Sequence, residues 1–108
     1  MSFKIIYSAR ARKDLRNIHT YIEHGLLEPE TAKKVSDRIL KRIRSLDEMP
    51  MRFRLYDDGP WRSQGLRVFP VDNYLVFYIP NEDEMTVEVV SIIYGGRDIG
   101  KQLEEIVF

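Results

Sequence analysis

Arg67, Tyr94 and Arg97 are residue types that together suit one kind of chemistry. A guanidinium can hold a phosphate through two parallel N–H bonds and stabilise a pentavalent transition state. A tyrosine can take part in proton transfer or stack on a base. The trio therefore suits phosphodiester chemistry, provided that strand register brings the three side chains to one end of a sheet. A plainer arrangement is also open. Arg67 then pairs with an acid such as Glu88, and Tyr94 packs on helices.

Other chemistries find little support. His19 and His24 are five apart on one helical stretch, whereas two histidines facing one metal on a helix sit four apart. The chain has no cysteine, which removes disulfides, thiolate metal sites and thiol catalysis. There is no glycine-rich phosphate loop, nucleophile elbow or paired-carboxylate motif. No metal or cofactor is expected.

The stretch from Gly65 to Asp98 must position the trio, and it reads as three adjoining strands. Leu66–Val71 is the first of them, with Pro70 arguing for an edge or a bulge. Residues 74–79 are apolar on both faces, as in a central strand. Pro80–Glu84 is a charged hairpin turn, and Met85–Tyr94 is rich in Val and Ile. Period-two alternation puts Arg67, Phe69 and Val71 on one face, and Tyr74, Val76 and Tyr78 on one face of the next strand. In the last strand it groups Thr86, Glu88, Val90, Ile92 and Tyr94. Arg97 follows the Gly95-Gly96 turn.

The N-terminal half supplies helices. Phe3–Tyr7 is a short strand, and Ser8 can cap the helix after it. Leu15, Ile18 and Ile22, extended by Leu26, form one apolar stripe, with Gly25 expected as a left-handed cap. Pro29 suits a helix start and Glu30 its dipole. Ala32, Val35, Ile39, Ile43 and Leu46 form a second stripe that ends at Met49-Pro50. Residues 51–64 read as a long loop with a turn at Asp58-Gly59-Pro60. The order is βααβββ with a short helical tail over residues 100–108. It predicts an α+β fold, with an antiparallel α-hairpin on one face of a mostly antiparallel four-stranded sheet. The first strand is expected to pair in the middle of that sheet. The tail's Ile99, Leu103, Ile106, Val107 and Phe108 either complete the core or offer an apolar surface.

At 108 residues, 44% apolar and 31% charged, the chain is one globular domain, residues 1–108. No apolar run reaches the roughly 18 residues of a membrane span, and no signal-peptide pattern opens the chain. A cytoplasmic location is expected. Net charge is zero, yet residues 1–54 hold 13 Lys/Arg against 7 Asp/Glu, and residues 55–108 hold 4 against 10. Such segregation can turn a basic face to a phosphate backbone. It equally fits two helices with solvated cations.

Several motifs in this order resemble the RelE/ParE superfamily, the toxin component of type II toxin–antitoxin systems, also described as plasmid stabilisation proteins. Gly65-Leu66-Arg67 is similar to its G-[LIY]-R strand start. Asn73-Tyr74-Leu75-Val76-Phe77-Tyr78 is similar to its N-Y-[LR]-[IV]-F-Y strand, and Ile92-Ile93-Tyr94-Gly95-Gly96-Arg97-Asp98 to its closing [IV]-[IL]-[HY]-G-x-R-D. Tyr7-Ser8 followed by Ala11, Lys13, Asp14, Leu15 and Ile18 is similar to its opening segment. The resemblance spans the chain except residues 51–64. It implies the βααβββ fold and a cognate antitoxin that docks on an exposed sheet edge and in the groove beside the helical hairpin.

The resemblance also implies a target. One branch consists of ribosome-dependent endoribonucleases (mRNA interferases) that act in bacterial stress responses; another poisons DNA gyrase without catalysis, and other members are not toxic. The ribonuclease branch implies Arg67 on phosphate, Tyr94 and Arg97 at the cut site, and Arg52 and Arg54 as further phosphate contacts. It is the first expectation here, with ribosome and mRNA as target. Gyrase inhibition, or a non-toxic interaction module, is the alternative. The chain departs from the ribonuclease pattern in two ways. It is neutral rather than strongly basic, and Tyr94 stands where His is frequent, with no second base evident.

Overall fold

The computed structural model describes residues 2–56 and 59–106. The elements are β1 (Lys4–Tyr7), α1 (Ala9–Thr20), α2 (Pro29–Arg44), β2 (Arg67–Val71), β3 (Tyr74–Asn81), β4 (Thr86–Tyr94) and α3 (Ile99–Glu104). The sheet order is β1-β4-β3-β2. β1 runs parallel to β4, and the other two pairings are antiparallel. This is the expected α+β, βααβββ architecture.

The expected place of β1 needs correction: it lies at a sheet edge, not in the middle. Its four residues alternate exposed and half-buried side chains, as suits an edge. β3 and β4 have apolar residues on both faces and take the centre. At the other edge, β2 carries the exposed Pro70, which offers no N–H for further pairing.

The helices form as their sequence dictates. The Ser8 hydroxyl accepts the Ala11 N–H at 2.9 Å and caps α1. Pro29 sits in the first turn of α2, whose Ala32, Val35, Ile39 and Ile43 are buried. They pack with Ala11 and Ile22 onto Phe69, Val76, Tyr78 and Val89 of the sheet.

Between the helices the chain departs from expectation. Gly25 is not a left-handed cap. Residues Tyr21–Gly25 form a π-turn, in which the Leu26 N–H reaches back to the Tyr21 carbonyl at 3.0 Å. The wider turn carries the reversal past Gly25, and Leu27 takes the left-handed conformation at φ 55°. Gly25 serves close approach instead, since a Cβ there would lie 3.1 Å from the Tyr21 ring.

A second layer covers the other sheet face. Leu66, Val68, Phe77, Val90 and Ile93 pack with Trp61 and Leu103. The 51–64 stretch is thus only partly a loop. It contains short 3₁₀ turns at Pro50–Arg52 and Gly59–Trp61 and a bridge from Leu55 to Arg67. Asp58 of the expected turn lies outside the described residues. In the tail, Leu103 is fully buried and Ile99 and Ile106 pack beside it, so these three complete the core. Val107 and Phe108 lie outside the described residues. No helix among the described residues is long and apolar enough to cross a membrane.

A bulge in β4 changes the expected faces. Phe77 pairs with Ser91 and Tyr78 with Val89, leaving Val90 as the extra residue. Val87 and Val89 join the helix-side core, Val90 turns to the α3 side, and Ile92 returns to the helices. Strict alternation fails here because one inserted residue reverses the parity of all that follow.

Candidate docking groove

The two central strands end at Tyr74 and Tyr94, which are paired in register. Their rings meet edge to face, with centroids 5.8 Å apart and planes at 70°. Gly96 makes room for this arrangement, since a Cβ there would fall 2.6 Å from the Tyr94 ring. Burial beside Tyr94 raises the Tyr74 phenol above its ordinary pKa, with a smaller opposing pull from Arg97. The two tyrosines floor a groove of about 1060 Å³ between the hairpin and this end of the sheet. Tyr21, Ile22 and Leu26 form one apolar wall, and Arg10, Lys13, Arg38 and Arg97 stand around it. Tyr21, Leu26 and Tyr94 are 59%, 48% and 47% exposed. An apolar floor with a charged rim is the anatomy of a protein-binding surface.

Asp14 holds the groove's shape. Its carboxylate accepts the Ser91 hydroxyl at 2.6 Å, the Ile92 N–H at 3.0 Å and Arg10 Nε at 3.1 Å. Arg10 also donates to Gln102 Oε1 at 3.0 Å. β1 pairs only as far as Val89, so the last part of β4 has an open edge beside α1. Ser8 and Asp14 fill it, Ser8 by donating to the Val90 carbonyl at 2.8 Å. A charge-assisted bond to a backbone N–H is the strong way to seal such an edge. Sequence reasoning missed this role of Asp14. The only available signal was the Arg10–Asp14 spacing of one helical turn.

The predicted trio does not assemble. Tyr94 and Arg97 line the groove together, joined by the Arg97 N–H to the Tyr94 carbonyl at 3.1 Å. Arg67 pairs with Tyr78, four residues or roughly 13 Å along β3 from Tyr74. Its Nη1 donates to the carbonyls of Met51 at 3.1 Å and Phe53 at 2.7 Å. The alternative partner, Glu88, is exposed on another strand and does not receive it.

Arg52 is similarly committed. It donates to the carbonyls of Ser45 at 3.1 Å and Glu48 at 2.9 Å and to the Ser45 hydroxyl at 2.6 Å. Its guanidinium lies 4.7 Å from the centre of the Phe53 ring. Arg54 is exposed, and its carbonyl accepts the Val68 N–H at 3.1 Å. Nearby, Tyr78 is fully buried and donates its hydroxyl to the Pro50 carbonyl. Burial pushes that phenol up to about 12. His19 and His24 both contact Glu23, each at 2.9 Å.

Comparison with solved structures places this fold. The chromosomal ParDE toxin–antitoxin system of P. aeruginosa is 16% identical, with a TM-score of 0.70 over 86% of this chain and 96% of that one. A mutant of the E. coli toxin RelE in the free state is 15% identical, with a TM-score of 0.66 over 99% and 100%. The RelBE2 toxin–antitoxin complex of Mycobacterium tuberculosis is 14% identical, with a TM-score of 0.63 over 87% and 92%. No curated protein matches the sequence. Residues 5–99 match the family described as ParE toxin of type II toxin–antitoxin system, parDE. The chain belongs to the ParE toxin family of type II toxin–antitoxin systems.

Proposed function

We propose that this toxin acts by binding DNA gyrase rather than by cutting mRNA, and that a cognate antitoxin silences it by filling the groove at Tyr74 and Tyr94. One observation carries the choice between targets. The Arg67 guanidinium is spent on the Met51 and Phe53 carbonyls, at a distance from Tyr94 and Arg97. Phosphoryl transfer needs cationic donors held on one developing charge, and Arg67 serves backbone instead. Membership of the ParE family supports the same reading.

The groove suits an amphipathic antitoxin segment. Tyr21, Leu26 and Tyr94 offer anchor sites for apolar side chains. Arg10 and Arg38 already face Asp14 and Asp72. Lys13 and Arg97 remain at the rim for acidic residues of the partner.

The test is inducible expression in a bacterium lacking the antitoxin, following growth, mRNA integrity and the DNA-damage response together. Arrest with filamentation, damage signalling and intact mRNA supports gyrase. Arrest with rapid mRNA cleavage favours the ribonuclease branch, with Tyr94 and Arg97 as the residues to examine. Unchanged growth, with folded protein confirmed, leaves a non-toxic interaction module.

A further inference from the structure

The outer face of α2 is a basic ridge that neither the groove nor the core uses. Lys33, Lys34, Lys41 and Arg44 are exposed along it, opposite the buried stripe of Val35, Ile39 and Ile43. None of the four makes an ion pair among the described residues. They span about 17 Å of helix. Asp37 is the acid among them, also exposed.

The ridge continues beyond the helix. Arg42 lies 5.6 Å from the centre of the Phe69 ring, Phe69 stacks on Phe53 at 4.5 Å, and Arg52 covers Phe53. Exposed acids lie elsewhere, Glu88 on β4 and Glu104 on α3 beside the exposed Lys101. A molecule neutral in total thus gathers on one helix face exposed cations without ion-pair partners among the described residues, and such a local field favours a polyanion.

We infer that the outer face of α2 binds the phosphate backbone of double-stranded DNA without reading its sequence. A convex helix flanked by cations fits the wide major groove of B-DNA. The deep, narrow major groove of duplex RNA does not admit it. Single strands are bound on exposed aromatic platforms, and the ridge has none, since Arg52 and Phe69 sandwich Phe53. The inference is independent of the gyrase reading.

The test measures the anisotropy of the full chain on a short labelled DNA duplex of arbitrary sequence while salt is stepped. About four neutralised phosphates give a log–log slope near −4, or a loss of roughly 100-fold between about 50 and 200 mM salt. A Lys34→Gln/Lys41→Gln variant should lower the slope by about 2. A Lys4→Gln/Lys101→Gln variant, which removes equal charge elsewhere, should leave it unchanged. Asp37→Asn should tighten binding about threefold, as one repulsive charge is lost. The inference is overturned by undetectable binding at the lowest salt, by equal losses in the two double variants, or by equal affinity for duplex RNA.

Discussion

At the scale of single residues, two polar side chains, Arg67 and Tyr78, donate to backbone carbonyls of the segment after α2. Arg67 ties the segment after α2 to β2 through two carbonyls. Arg67→Met should therefore lower stability by about 2 kcal/mol, the size of losing hydrogen bonds to a charged group. Growth arrest on induction should persist when the variant is folded. Thermal melts and growth curves of the same variant check both halves, and a folded but harmless variant would restore Arg67 to the toxic mechanism.

Tyr78 has its phenol held neutral by burial, at about 12 against an ordinary 10. The folded state therefore binds the proton more tightly than the unfolded chain, and stability is lost as pH rises from about 10 toward 12. The loss is on the order of 2 to 3 kcal/mol. Tyr78→Phe should cost about 1 kcal/mol at neutral pH, since the Pro50 carbonyl loses its donor. It should also flatten the alkaline fall seen in denaturant titrations at stepped pH.

At the scale of elements, the informative places are those where a local rule yields to packing. The π-turn after α1 places Leu27 in a left-handed conformation while leaving it 80% exposed. An L-residue there carries about 1 kcal/mol of strain, and glycine would relieve it. Leu27→Gly should raise stability by a few tenths to 1 kcal/mol in chemical denaturation, and a loss would show that Leu27 has a packing role. α3 is short, yet Leu103 is fully buried against the second sheet face. Leu103→Ala should cost 2–5 kcal/mol, the range for a cavity left by a buried leucine. Neither outcome was legible in hydrophobic periodicity, which sees a stripe but not the layer it meets.

At the scale of the whole molecule, the helical hairpin and the sheet meet along most of one face and part at the Tyr74–Tyr94 end. That opening is the groove, and its exposed aromatic residues are the clearest invitation to a partner. Gly96→Ala would force the Tyr94 ring off its seat, because the new methyl carbon would sit 2.6 Å from it. It should weaken capture of the cognate antitoxin by at least 10-fold, measured by calorimetry, with the free toxin's fold unchanged by circular dichroism. A ligand that binds only the folded state also stabilises it by mass action, so antitoxin should raise the wild-type melting temperature more than that of the variant.

The sequence by itself determined the element order, the two helix stripes, the central place of β3 and the family. Each of these rests on side chains a few residues apart, where period and cap chemistry act directly. It did not determine where β1 pairs, the parity break at Val90, or the distance between Arg67 and Tyr94. Those depend on register between strands remote in the chain, and one bulge suffices to change it. Nor could it show that Asp14 seals the free edge of β4. That edge exists only because β1 stops at Tyr7 and the chain turns there into α1.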